Sequence, residues 1–200
     1  MNVLIPILGV LGGVAGIADT VPYVRDTMRG STRPDRGSWL IWSVLAIIAA
    51  LSQRADGASW SVLMTATQAI LTGLVFLLAI RYGEGGMTRG EVSLIALAAG
   101  GVIGWILARE PVLAVACVIA ADVAAFAMMT PKVLRDPHSE TLSTYALASF
   151  GGALAAGAVG MLDPSLLLYP AYYCLANAAM SILIVRRRAV VGMRTHLVRG

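Results

Sequence analysis

Two hundred residues would suit one or two soluble domains, but 58% of them are hydrophobic, 13% carry charge and the mean hydropathy is +0.79. That balance leaves too little polar surface to cover a water-soluble core, so the chain reads as an all-α integral membrane protein. The net charge of +4 rests on fourteen arginines and a single lysine against eleven acids; in a membrane protein such an excess reports orientation, and no nucleic-acid partner is expected.

Taken in order, seven apolar segments stand at 3–24, 38–53, 59–80, 92–107, 111–134, 142–161 and 165–185. Each is near the twenty or so residues a helix needs to cross about 30 Å of hydrocarbon. The second and fourth are short, and Trp39 and Trp105 extend them to the interface. Only Met1 and Asn2 precede the first segment, so no cleaved signal peptide is expected. Glycines at Gly83, Gly85, Gly86 and Gly90 punctuate the chain before the fourth segment. Cys117 and Cys174 both lie in apolar runs and read as reduced packing residues.

Lys and Arg divide unevenly between the connections. Alternate sides carry thirteen and two. The positive-inside rule then predicts seven transmembrane helices in the inner (cell) membrane, with the N-terminus outside and the C-terminal tail cytoplasmic.

A faint repeat runs through the chain. Shifted by 103 positions, Ala18 falls on Ala121, Asp19 on Asp122, Tyr23 on Phe126, Thr27 on Thr130, Pro34 on Pro137, Ser38 on Thr141 and Trp42 on Tyr145. The coincidences fall on costly types: an acid inside an apolar run, a loop proline, an aromatic at the next helix. The organisation this predicts is 3+1+3. A first triple-helix repeat spans 1–82, a linker and connecting helix 83–109, a second repeat 110–188 and a basic cytoplasmic tail 189–200. Because the fourth span returns the chain to the outer face, the two repeats run parallel about an axis near the membrane normal. Gly9 with Gly13, Gly12 with Gly16, and Gly152 with Ala156 and Gly160 sit four apart and read as packing seams.

Asp19 and Asp122 carry the strongest functional signal. An ionised carboxylate at the centre of a bilayer costs about 2.5 to 3.5 kcal/mol even on a lenient insertion scale. Such groups are protonated, paired or wetted, and the competing reading is structural glue between helices. Gln68 and Asn177 are amides at mid-span, suited to binding hydroxyls and equally to stitching helices together. Trp42 and Tyr145 lie one turn inside the predicted cytoplasmic boundary, where they anchor a helix or stack on a ligand. Pro22, Pro131 and Pro170 each remove a backbone donor and are candidate hinges. Of Tyr169, Tyr172 and Tyr173, at least one is expected to point inward.

No histidine lies within a span, and the lone Lys132 is at a helix end. Haem, a catalytic metal and a retinal Schiff base in the seventh helix are therefore not expected, and no phosphate loop or nucleophile elbow is present. No cofactor and no enzymatic activity are predicted.

The paired Ala-Asp motifs at Asp19 and Asp122, the prolines Pro22 and Pro131 near helix ends, and the amides Gln68 and Asn177 give the chain a pattern that resembles the SWEET and PQ-loop superfamily, of the transporter-opsin-receptor type. Tyr23-Val24-Arg25-Asp26, Ser38-Trp39-Leu40-Ile41-Trp42 and Leu168-Tyr169-Pro170 resemble bacterial membrane proteins of that broad type. The resemblance implies seven helices in two parallel triplets, amides of helices three and seven on a solute, and proline hinges. The Pro-Gln dipeptide of that group is absent here, the second and sixth segments lack proline, and Gln68 stands where an asparagine is expected. The expected function is small-solute transport, as a facilitator or proton-coupled, at a site between the repeats. The alternative is a non-transporting sensor or assembly protein of the same fold. Expected partners are the lipid bilayer and a small-molecule solute, with self-association left open.

Overall fold

The computed structural model describes residues 4–55, 60–85, 89–107, 111–159, 162 and 164–199. Its elements are α1 (Leu4–Ala18), α2 (Thr20–Met28), α3 (Arg36–Ala55), α4 (Trp60–Tyr82), α5 (Arg89–Leu107), α6 (Pro111–Arg135), a 3-10 turn at Pro137–Ser139, α7 (Leu142–Ala158) and α8 (Pro164–Arg199). Helix dominates because the apolar runs are long and rich in Ala and Leu, and no strand forms among the described residues. Three stretches are long and apolar enough to cross a membrane: Leu4–Met28, Val115–Arg135 and Leu167–Met193.

One break in the helices positions a candidate site residue. Between α1 and α2 the chain makes a turn at Asp19. Pro22, three residues on, has no N–H to give the carbonyl of Ala18, so one rung of the ladder is missing there. Pro131 and Pro170, by contrast, lie inside unbroken helices. Of the three predicted hinges, only Pro22 coincides with an interruption.

The helix starts and stops have local causes. Asp35 caps α3, accepting from the Ser38 N–H at 2.8 Å, and this sets the helix start at Arg36, ahead of the predicted apolar boundary. At the end of α2, Gly30 takes φ of 75°, which closes the helix in the left-handed conformation open to glycine. Gly90 is helical, since α5 begins at Arg89. The basic tail predicted as a separate piece is helical through Arg199, because arginines sustain a helix well and nothing interrupts the run.

Packing follows a recurring scheme. The backbone of α4 packs against α1, α2 and α3, and that of α8 against α6 and α7. Within each set the other helices keep their backbones apart among the described residues, save for the consecutive α1 and α2. Between the sets, α1 and α2 lie on α7 while α3 lies on α6, and α5 covers α6 and α3. Close approach of α7 to its neighbours uses small residues: a Cβ on Gly12 would stand 3.3 Å from the Gly151 carbonyl, and one on Gly152 would stand 2.8 Å from the Cys174 nitrogen. A Cβ on Gly16, predicted to share the Gly12 seam, would meet nothing within 4 Å, although the Gly16 nitrogen lies 3.7 Å from where a Cβ on Gly151 would stand, and Gly160 lies outside the described residues.

The outer surface is apolar. On α1 and α2 the exposed residues Leu4, Ile7, Val10, Val14, Ile17 and Val21 recur every three or four positions and, with Leu11 beside Val10, form one stripe. A stripe that long has no place in water but matches hydrocarbon.

Candidate functional site

Asp122 sits at the centre of the site. Its side chain is buried on α6, where Oδ1 accepts from Trp42 Nε1 of α3 at 2.8 Å and Oδ2 accepts from Tyr172 OH of α8 at 2.7 Å. One carboxyl thus ties three helices together. Stripping such a group of water is costly, and hydrogen bonds to both oxygens recover part of the cost. Trp42 is held for this role by edge-on packing against Trp39 at 5.1 Å and Phe126 at 5.2 Å.

Asp19 occupies the turn between α1 and α2 and is 4% exposed. Its Oδ1 accepts from Thr20 Oγ1 at 2.9 Å, and its backbone oxygen accepts from Thr144 Oγ1 of α7 at 2.8 Å. The second carboxyl oxygen has no hydrogen-bond partner among the described residues. Neither aspartate is in an ion pair there.

On α8, Tyr169, Tyr172 and Tyr173 are spaced to share one face, with ring centroids 6.3 Å apart for Tyr169 and Tyr172 and 6.0 Å for Tyr169 and Tyr173. Tyr173 lies within electrostatic reach of both Asp19 and Asp122. Of this face, Tyr172 reaches Asp122 directly.

The remaining predicted residues divide. Asn177 is buried on α8, one turn beyond Tyr173, and its amide donates back to the Tyr173 carbonyl at 2.9 Å. Gln68 is half-buried on α4, and its carbonyl accepts from Thr72 Oγ1 at 2.9 Å. Tyr145 does not join Asp122. Its hydroxyl donates to Glu140 Oε2 at 2.8 Å, because a buried carboxylate lies nearer to it than either aspartate.

Sequence reasoning passes over that carboxylate. Glu140 is fully buried in the connection between α6 and α7 and accepts from Lys132 Nζ, from Tyr145 OH and from Tyr23 OH at 3.2 Å. Burial raises its pKa above the ordinary glutamate value, and the Lys132 ammonium with the two phenols holds the rise in check. Around it, Trp39 Nε1 donates to Tyr23 OH at 3.0 Å, Lys132 donates to the Arg33 carbonyl, and Arg33 pairs with Asp136 and with Glu84. Arg188 Nη2 adds a bond to the Glu140 carbonyl at 2.6 Å. The connections after α2, α4 and α6 and the α8 extension thus meet in one polar knot. Loop acids beside basic residues look like ordinary solvated charge in a sequence, and only the fold reveals that they are enclosed.

Fold and site together define an all-helical protein with three stretches long and apolar enough to cross a membrane and with two buried acids, one of them held by Trp42 and Tyr172. No family model matches the chain, and no curated protein or solved structure matches it.

Proposed function

We propose that the chain is a seven-span inner-membrane transporter for small solutes, with triple-helix units at 1–82 and 110–188 and its site between them. The observation that carries this reading is the pair of hydrogen bonds on Asp122 of the second unit, one crossing to Trp42 of the first unit and one made to Tyr172 within the second. A hydrogen bond between two bodies is broken and remade when they rock, so binding a solute there can be coupled to movement.

Other features support the reading. The packing scheme repeats between the two sets of helices, as two related units would require. The connections predicted to be cytoplasmic, after α2, α4 and α6, gather at one end with the basic part of α8, in keeping with the thirteen-to-two charge split. The knot joins both units at that end, which makes this conformer one closed towards the cytoplasm. The Asn177 amide lies one turn from Tyr173 on the same helix.

Counterflow in proteoliposomes tests the proposal. Vesicles loaded with unlabelled amines, sugars, amino acids or organic acids should draw in at least one labelled counterpart faster than protein-free vesicles. Absence of counterflow with every class would favour the sensor or assembly reading.

A further inference from the structure

We infer that Trp39 couples two of the points at which the first unit holds the second, so that release of Asp122 and opening of the polar knot are one event. This rests on the transporter reading for its purpose, while its geometry stands alone.

The two points of hold are the hydrogen bonds from Trp42 Nε1 to Asp122 at 2.8 Å and from Tyr23 OH to Glu140 at 3.2 Å. Trp42 is on α3 and Tyr23 on α2, and the backbones of these helices keep apart among the described residues. Trp39 bridges them. One turn before Trp42 on α3, it packs edge-on to that ring at 5.1 Å. Its ring also lies 4.7 Å from that of Tyr23, and its Nε1–H donates to Tyr23 OH at 3.0 Å. The single proton of that phenol goes to Glu140, so a polarised run passes from indole to phenol to carboxylate.

Such a run does not yield in part. Tyr23 and Trp39 are 0% and 6% exposed, so water has little access to replace a lost partner. A shift of α3 away from α6 takes Trp42 from Asp122 and carries Trp39 with it. Tyr23 then follows or loses its donor, and either way its bond to Glu140 weakens. Tyr145 is the contrasting case. It reaches Glu140 from within the second unit at 2.8 Å, and so steadies the knot without crossing between units.

Ser139 can report on the knot, being 2% exposed with its carbonyl accepting from the Arg33 N–H across the seam at 3.0 Å. The test is the rate at which a Ser139→Cys thiol reacts with an excess of a water-soluble thiol reagent, in the full-length protein without Cys117 and Cys174, in detergent. Asp122→Leu removes the acceptor of Trp42 and should raise that rate about fivefold or more. Trp39→Phe keeps a ring but gives up the N–H; it should raise the rate too, and adding Asp122→Leu should then change it by less than about twofold. In Tyr145→Phe the Asp122 effect should keep its full size. A merely structural Trp39 would leave the Asp122 effect intact in Trp39→Phe. That result, no response of the knot to Asp122→Leu, or loss of the response in Tyr145→Phe as well, would overturn the inference. If a variant fails to fold, exchange of the indole N–H protons in the native chain decides. Those of Trp39 and Trp42 should exchange through one opening, with protection equal within about threefold, and a larger difference would count against it. Coupling without counterflow in vesicles would leave the link standing and remove transport; counterflow with an uncoupled knot would do the reverse.

Discussion

The guanidinium of Arg33 and the carboxylate of Asp136, 103 positions apart, form an ion pair across the polar knot. That separation equals the offset at which Asp19 meets Asp122 and Trp42 meets Tyr145 in the sequence. Equivalent residues of two units related by rotation can touch only near the axis, so this pair marks where such an axis would pass. Being half-exposed, the pair itself adds little stability. Its place at the seam makes it a useful lever. Cysteines at Arg33 and Asp136, joined by a short bifunctional reagent, should stop counterflow and regain it when a cleavable linker is cut. Flux unchanged by complete crosslinking would mean that the knot does not open during the cycle.

Lys132 and Glu140 are the opposite case, with side chains 3% and 0% exposed. Removing one partner strands a buried charge, and Lys132→Met or Glu140→Gln should each cost about 3–5 kcal/mol. The double variant should lose clearly less than the sum, because no uncompensated charge remains. Chemical denaturation of all four forms in the same detergent measures this coupling, and strict additivity would count against a tight pair.

Glycine substitutions test the seams. Gly152→Ala would set a methyl 2.8 Å from the Cys174 nitrogen of α8, and a loss of about 1–3 kcal/mol is expected. Gly16→Ala has nothing within 4 Å to strike and should be neutral or slightly stabilising through helix propensity. The ranking of unfolding midpoints checks both.

The charge asymmetry predicts sidedness. In a background without Cys117 and Cys174, a cysteine at Met193 should react with an impermeant thiol reagent only from the cytoplasmic side. One at Leu162 should react only from outside. Both positions are exposed, so labelling of Leu162→Cys only from inside would break the seven-span topology.

Much of the fold was legible because apolar runs of helical length leave few alternatives in a chain this hydrophobic. The acids were legible for the same reason: Asp19 and Asp122 have no cheap place in an apolar segment, and both are buried. Trp42 proved to be a partner of Asp122 rather than an interface anchor, a distinction that depends on helix rotation and cannot be read from one strand of sequence. Tyr145, equated with Trp42 by the offset, turned instead to Glu140, since the first unit has Gly37 where the second has Glu140. The knot itself was hidden because its members come from separate connections. Enclosure is a property of the packing, and charge in a loop looks the same whether covered or not.

The most direct measurement on the central claim is two-sided access to the tyrosine face. A single cysteine at Tyr173, in the background without Cys117 and Cys174, would be exposed to an impermeant thiol reagent from either side of oriented vesicles. A site between two rocking units predicts reaction from both sides, slowed by bound solute. Reaction from one side only, or from neither at full reagent excess, would contradict a transport pathway between Asp19 and Asp122.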